Sequence, residues 1–218
     1  MGLGELIEKA IHARRARALA RLQGPLGDFH RAGGNAQLLG GAPLTADDLV
    51  IDAGGFEGDF TAEVAWRFGC RSLVLEPVPG FAAALRSRFN GNSRVRVVEA
   101  ALGATEGELQ LTLQANGTSA FTRGPGPTVR AKQVDAAALI KAERPIGLLK
   151  LNIEGGEFDV LERLAAAGLL ASIRSVLIQF HQLVPECEAR RERVRATLAA
   201  THREVFNYSW VWERWDAR

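Results

Sequence analysis

The sequence predicts a doubly wound α/β domain. Its sheet should be mostly parallel and Rossmann-like, in the order 3-2-1-4-5, with an antiparallel edge added near the carboxyl terminus and helices on both faces. Three observations carry that expectation. Short apolar runs rich in β-branched residues alternate with helical stretches, as in parallel strands joined by crossover helices. The run Leu49-Val50-Ile51-Asp52 ends in an acid and breaks into a glycine-rich turn before an amphipathic helix. The run Ser72-Leu73-Val74-Leu75-Glu76 also ends in an acid, 24 residues after the first. A nucleotide fold places its ribose-binding carboxylate about 20 residues past the opening turn.

Composition sets the outer limits. The 218 residues suit one domain with a full core. A hydrophobic share of 47% and a charged share of 24% are ordinary for a globular chain. A net charge of +2, with arginines spread along the chain, makes no case for nucleic acid. Cys70 and Cys187 stand too far apart for a metal-ligand spacing or a disulfide framework, and no metal is expected. No secretory apolar segment and no run long enough to span a bilayer is read, so the expected compartment is the cytoplasm.

Residues 3–22 read as a basic amphipathic helix, with Leu3, Ile7, Ile11, Leu19 and Leu22 apolar among arginines. It fits a homodimer contact as well as a cap on the monomer. Gly24 and Pro25 should end it, and residues 24–46, which hold Asp28, His30 and Arg31, read as loop. Residues 1–46 are thus expected as a helix-and-loop cap and 47–218 as the main domain.

The first strand leads into Asp52-Ala53-Gly54-Gly55-Phe56-Glu57-Gly58, with a helix starting near Asp59 or Phe60. A dinucleotide turn in this register would have Ala53 where its first glycine belongs, which disfavours a nicotinamide enzyme. An acid, one residue and a glycine, with Gly58 closing the turn, is the opening of nucleoside-dependent methyltransferases. Their cofactor, S-adenosylmethionine, carries an ammonium and no pyrophosphate, so an acidic strand end suits it. Asp52 is expected to hold its methionine end, directly or through water. Gly54, Gly55, Phe56, Gly58 and Thr61 should shape the turn around it. Glu76 should take the ribose hydroxyls, with Pro77 at the edge of the pocket. A third strand, 95–100, should end at Glu99, Ala100 and Ala101, small enough to flank an adenine.

Residues 108–113 and 128–134 read as a hairpin-like insertion, with a turn signal at Asn116-Gly117-Thr118-Ser119 between them. A helix over 135–142 and a fourth strand from Ile146 follow. Alternation along that strand places Lys150, Asn152 and Glu154 on one side, toward the crevice shared with Asp52 and Glu76. The fifth strand, 173–181, ends in Gln179 and His181. The arginine-rich helix 185–201 reads as a solvated outer face. The Trp-rich tail reads as antiparallel edge strands, with Trp210 and Trp212 on one face.

These pieces, in this order, resemble the FkbM family of methyltransferases over roughly residues 48–182. The resemblance rests on Val50-Ile51-Asp52-Ala53-Gly54-Gly55-Phe56-Glu57-Gly58-Asp59, Leu75-Glu76-Pro77, Ala100-Ala101-Leu102-Gly103, Leu149-Lys150-Leu151-Asn152-Ile153-Glu154-Gly155-Gly156-Glu157 and Ile178-Gln179-Phe180-His181. It implies S-adenosylmethionine as cofactor and O-methylation of a hydroxyl on a sugar or natural product. Three positions depart from the family pattern. Phe56 replaces a usual Asn, Asn152 a usual Asp, and Gln179 a frequent Glu. With Asn152 unable to act as a base, His181 is expected as the base and Glu154 as an orienting group, with Lys150 and Asn152 beside them. The alternative is a non-catalytic cofactor-binding or interaction protein on the same fold.

Overall fold

The computed structural model describes residues 23–114, 117–119 and 127–218. The amphipathic helix expected over 3–22 and Asn116 of the expected turn lie outside these residues.

The main sheet has seven strands: β1 (Leu49–Ala53), β2 (Arg71–Leu75), β3 (Val95–Val98), β8 (Ile146–Leu151), β9 (Ile173–Ile178), β10 (His202–Tyr208) and β11 (Trp212–Ala217). Their order is β3-β2-β1-β8-β9-β11-β10. The first five are parallel neighbours, and β11 and β10 join antiparallel. The expected order 3-2-1-4-5 and the antiparallel edge are therefore both present. All residues of β1 and β8 are buried, which is why these strands are apolar apart from Asp52 and Lys150, which pair with each other.

The core lies on both faces of the sheet. Ile51, Leu149 and Val176 pack with α4 (Ala136–Glu143), α5 (Glu157–Ala166) and α6 (Cys187–Ala199). Val50, Leu148 and Leu177 pack on the other face with Val64 of α2 (Asp59–Phe68) and with Phe29, Leu38 and Leu39. A further helix, α3 (Pro79–Arg88), joins β2 to β3. A small second sheet, in the order β4-β7-β5-β6, is built from β4 (Ala101–Gly103), β5 (Gly107–Gln114), β6 (Gly117–Ser119) and β7 (Thr128–Asp135). The expected insertion is thus a four-stranded sheet, and Gly117, Thr118 and Ser119 pair with β5 as a strand rather than only turning.

Two expectations are corrected. Residues 24–46 hold helix α1 (Gly24–Arg31) and a 3-10 turn (Gly34–Gln37), where loop was expected. Gly24 and Pro25 open this helix; proline suits the first turn, where its missing N–H costs no bond. Helix α6 is solvated on one side only, with Arg191, Val194 and Leu198 buried on the other. Its Arg191 is buried and donates to Glu213 of β11, 1% exposed, through Nε at 2.7 Å. Arg195 reaches the other oxygen of Glu213 at 2.6 Å and Glu204 at 2.7 Å. Next to Glu213, the buried Arg214 donates to the carbonyls of Leu38 at 3.2 Å and Gly40 at 2.7 Å, tying the amino-terminal segment to the sheet. The tryptophans divide: Trp212 and Trp215 are buried in the two cores, while Trp210 sits at φ 62° in the turn between β10 and β11.

Candidate functional site

The carboxyl ends of β1, β2, β8 and β9 meet at one edge of the sheet, where open α/β sheets bind their ligands. The turn after β1 is shaped by packing. Gly54 and Gly58 adopt φ 83° and φ 87°, a region that disfavours side chains. A Cβ on Gly54 would lie 2.0 Å from the carbonyl oxygen of Asn152, and one on Gly55 would lie 2.3 Å from Val74. A Cβ on Gly58 would meet Leu85 at 2.7 Å. These glycines let the turn fit against its own protein neighbours, whereas the sequence pointed to the approach of a ligand.

Asp52 is 0% exposed. Its Oδ1 accepts from Lys150 Nζ at 2.8 Å and its Oδ2 from the hydroxyl of Thr61 at 2.7 Å. Lys150 also donates to the carbonyl of Gly54 at 2.7 Å and lies 5.7 Å from the ring centroid of Phe60. With no exposed surface, Asp52 does not offer the direct hold on a cofactor expected of it. Both oxygens are used inside the protein, and Lys150 and Thr61 serve the same internal network instead of facing the crevice.

Glu76 is placed differently. It lies just past β2, 5% exposed, with Oε2 accepting from the Phe56 N–H and Oε1 from the Val78 N–H, each at 2.9 Å. Burial pushes its carboxyl above the ordinary value, and the two N–H bonds pull against that. Each oxygen keeps a lone pair for a further donor. Phe56 itself is strained at φ 49°, 54% exposed, and edge-on to Phe81 at 4.7 Å. Pro77 is partly exposed beside them. The expected adenine flank takes another form. Glu99 is turned outward to Arg86 at 3.1 Å, Ala100 is fully buried and offers no face to a base, and Ala101 opens β4.

Strand β8 ends at Leu151, so the alternation expected to align Lys150, Asn152 and Glu154 stops before the last two. Asn152 follows the strand, and its Oδ1 is buried without a hydrogen-bond partner among the described residues. Glu154 turns at φ 54°, which brings Oε1 to 3.5 Å from Nε2 of His181. His181 Nδ1 meets Oε1 of Glu157 at 2.9 Å. Glu157 is fully buried and also accepts from the N–H groups of Ile153 at 2.8 Å and Gly155 at 3.0 Å. Burial pushes the Glu154 carboxyl up, partly countered by His181. Burial lowers the His181 pKa, but the bond and charge of Glu157 and the charge of Glu154 carry it above the ordinary 6.5.

The structure thus brings His181 and Glu154 together and adds Glu157, a residue without a role in the sequence reading. Its carboxylate turns back onto the N–H groups of the glycine turn just before it. A separate cavity of about 340 Å³ opens between the end of α3 and the start of β3, beside Phe89, Asn92 and Val95. It holds none of these groups. Among the described residues, no helix is long and apolar enough to cross a membrane.

No family model matches the chain, and no curated protein matches it. Solved structures with a similar chain trace include the 23S rRNA methyltransferase ErmE, at 18% identity over 84% of this chain and 66% of that one, with a TM-score of 0.46. An rRNA methylase from Streptococcus thermophilus aligns at 12% identity over 91% and 99%, with a TM-score of 0.49. A TehB-like SAM-dependent methyltransferase from Corynebacterium glutamicum aligns at 13% over 97% and 99%, with a TM-score of 0.45.

Proposed function

We propose that this chain is an S-adenosylmethionine-dependent methyltransferase that methylates a hydroxyl group on a sugar or natural-product small molecule. The observation that carries the proposal is Glu76. A carboxylate at the end of the second parallel strand, pinned by two backbone N–H groups and still able to accept, suits the two hydroxyls of a ribose. The FkbM-like motifs give the same assignment.

The residues present fit the cofactor, though not in the roles first expected. Asn152 Oδ1 is a buried acceptor without a partner among the described residues, matched to an ammonium, and the backbone carbonyl of the same residue lies against Gly54. Phe56 and Phe81 offer apolar faces beside Glu76. Asp52, Lys150 and Thr61 hold the turn that these groups line. When bound, the cofactor supplies an electrophilic methyl group. The protein orients the acceptor and removes its proton, through His181, with Glu154 facing the same nitrogen. The two free thiols, Cys70 and Cys187, agree with a reducing, cytoplasmic compartment.

Calorimetric titration with S-adenosylhomocysteine tests the proposal. Wild type should bind, and Glu76→Ala should bind more weakly. No binding to the wild type would overturn it. A second reading, a non-catalytic cofactor-binding protein, is favoured by the amides Asn152 and Gln179. It would be supported by tight binding with no turnover on a broad panel of hydroxyl acceptors.

A further inference from the structure

We propose that Glu157 is a positioning residue that fixes the tautomer of His181, so that Nε2 is the proton acceptor of the site. The inference rests on the reading of His181 as the base and adds the group that makes it one.

The argument begins with bond directions. Both oxygens of Glu157 already face N–H donors, Ile153 on Oε1 and Gly155 on Oε2. The carboxylate is therefore aligned as an acceptor, and the ring nitrogen that meets Oε1 at 2.9 Å is the one that carries hydrogen. A neutral imidazole has one N–H. With it on Nδ1, the lone pair is on Nε2. That nitrogen points away from the buried Glu157 and toward Glu154, which is partly exposed.

Bracing the turn before α5 does not account for the third bond. The turn needs only its two local N–H groups, whereas His181 is 24 residues further along the chain, past the end of β9. The side chain of His181 keeps 17% of its surface open, and that of Glu157 none.

Among the described residues, two carboxylates face the ring. Glu157 comes from α5 and Glu154 from the turn before it. The arginines of α6 are held elsewhere. Arg190 lies over the Phe158 ring and pairs with Asp159 and Glu162. Arg191 lies over the Phe180 and Trp210 rings and is bound to Glu213. Among the described residues the ring is faced by these two carboxylates and by the backbone carbonyl of Gln179, in line with its raised pKa.

In the proton step, the O–H bond of the acceptor hydroxyl breaks and an N–H bond forms at Nε2. The electron pair stays on the oxygen. The imidazolium produced is flanked by Glu157 on one nitrogen and Glu154 on the other, so its charge is met on both sides.

Nitrogen-15 spectra of the imidazole rings across a pH series test this on the full chain, with the His181 signal assigned by its loss in His181→Gln. Neutral His181 should carry its proton on Nδ1, with a midpoint above the ordinary value. In Glu157→Gln the midpoint should fall by about one pH unit, a tenfold loss of proton affinity, and the Nδ1–H preference should weaken. In Glu154→Gln the midpoint should fall while the tautomer holds. An Nε2–H tautomer in the wild type would overturn the proposal, whether or not any variant folds. So would a Glu157→Gln titration that matches the wild type. These spectra need no cofactor, so their outcome is separate from the titration with S-adenosylhomocysteine.

Discussion

The ends of β1 and β8 are neighbours in one sheet, with Ala53 opposite Leu151, yet they are spent in different ways. Each is followed by a glycine turn and a helix that begins with an acid. At β1 the strand-end carboxylate is sealed: Asp52 has no exposed surface and both oxygens are taken by Lys150 and Thr61. The helix acid there, Asp59, faces solvent and pairs with Arg88. At β8 the arrangement is reversed. The strand end offers an unpaired amide oxygen at Asn152, and the helix acid, Glu157, is the buried one, turned back to hold its own turn and His181. One end is closed by an internal ion pair and acts as a frame. The other brings together the partly exposed Glu154 and His181, each with a raised pKa. An acid at a strand end is therefore not by itself a ligand group; what else reaches it decides.

The largest test of this contrast is to break the frame. Lys150→Met leaves Asp52 charged, buried and without its partner, and should lower unfolding free energy by about 3–5 kcal/mol in a urea titration. Adding Asp52→Asn should recover part of that loss. Unchanged stability in Lys150→Met would mean that the ion pair frames nothing.

Next in size is Glu76→Ala. Losing a charged acceptor should weaken S-adenosylhomocysteine binding by about 1.5–3 kcal/mol, roughly tenfold or more, with the fold retained. Because burial raises the carboxyl of Glu76 above its ordinary 4.5, wild-type affinity should fall on acidification while the pH is still above that value. Calorimetry across a pH series reads both effects.

The third effect is smaller and tests the open end alone. His181 binds its proton more tightly when folded than its ordinary 6.5. Its stabilising contribution is complete below that value and is lost as pH rises through the folded pKa. The stability advantage of wild type over His181→Gln should shrink as pH rises above 6.5, by less than about 1.4 kcal/mol per pH unit. A constant difference would remove His181 from the titrating pair. Smallest is Glu154→Gln, where the shrinkage should move to lower pH by less than it does in Glu157→Gln, since Glu154 stands at 3.5 Å and Glu157 at 2.9 Å.

Much of the fold could be read from the chain because buried parallel strands are apolar on both faces. Runs such as Leu49–Ala53 and Ile146–Leu151 leave little else to be. The edge strands were legible from their alternation and position. The site was legible less evenly. Glu76 stands where spacing put it. The partner of Asp52 was hidden, because Lys150 is 98 residues away and strand alternation alone pointed it at the crevice. The glycines were visible as a turn, but whether a ligand or Val74 and Asn152 occupies the space beside them is a matter of tertiary packing. The arginines of α6 looked solvated because arginine is usually outside; only the buried Glu213 on a strand 18 to 22 residues later shows which of them turn inward. Helix α1 was missed because Gly24 and Pro25 stop one helix as readily as they start the next.

Strand β11 lies inside the sheet, between β9 and β10, although β10 is made first. During vectorial synthesis β10 therefore leaves the ribosome with no strand to pair with, and the edge of β9 stays bare. Glu213 and Arg214 arrive together, and with them the partners of Arg191 and Arg195 and the clamp on Leu38 and Gly40. A nascent chain halted just after Tyr208 would expose an apolar strand edge, the kind of surface that chaperones hold and other chains capture. The sheet is complete only once β11 is made, since β10 joins it through β11 alone.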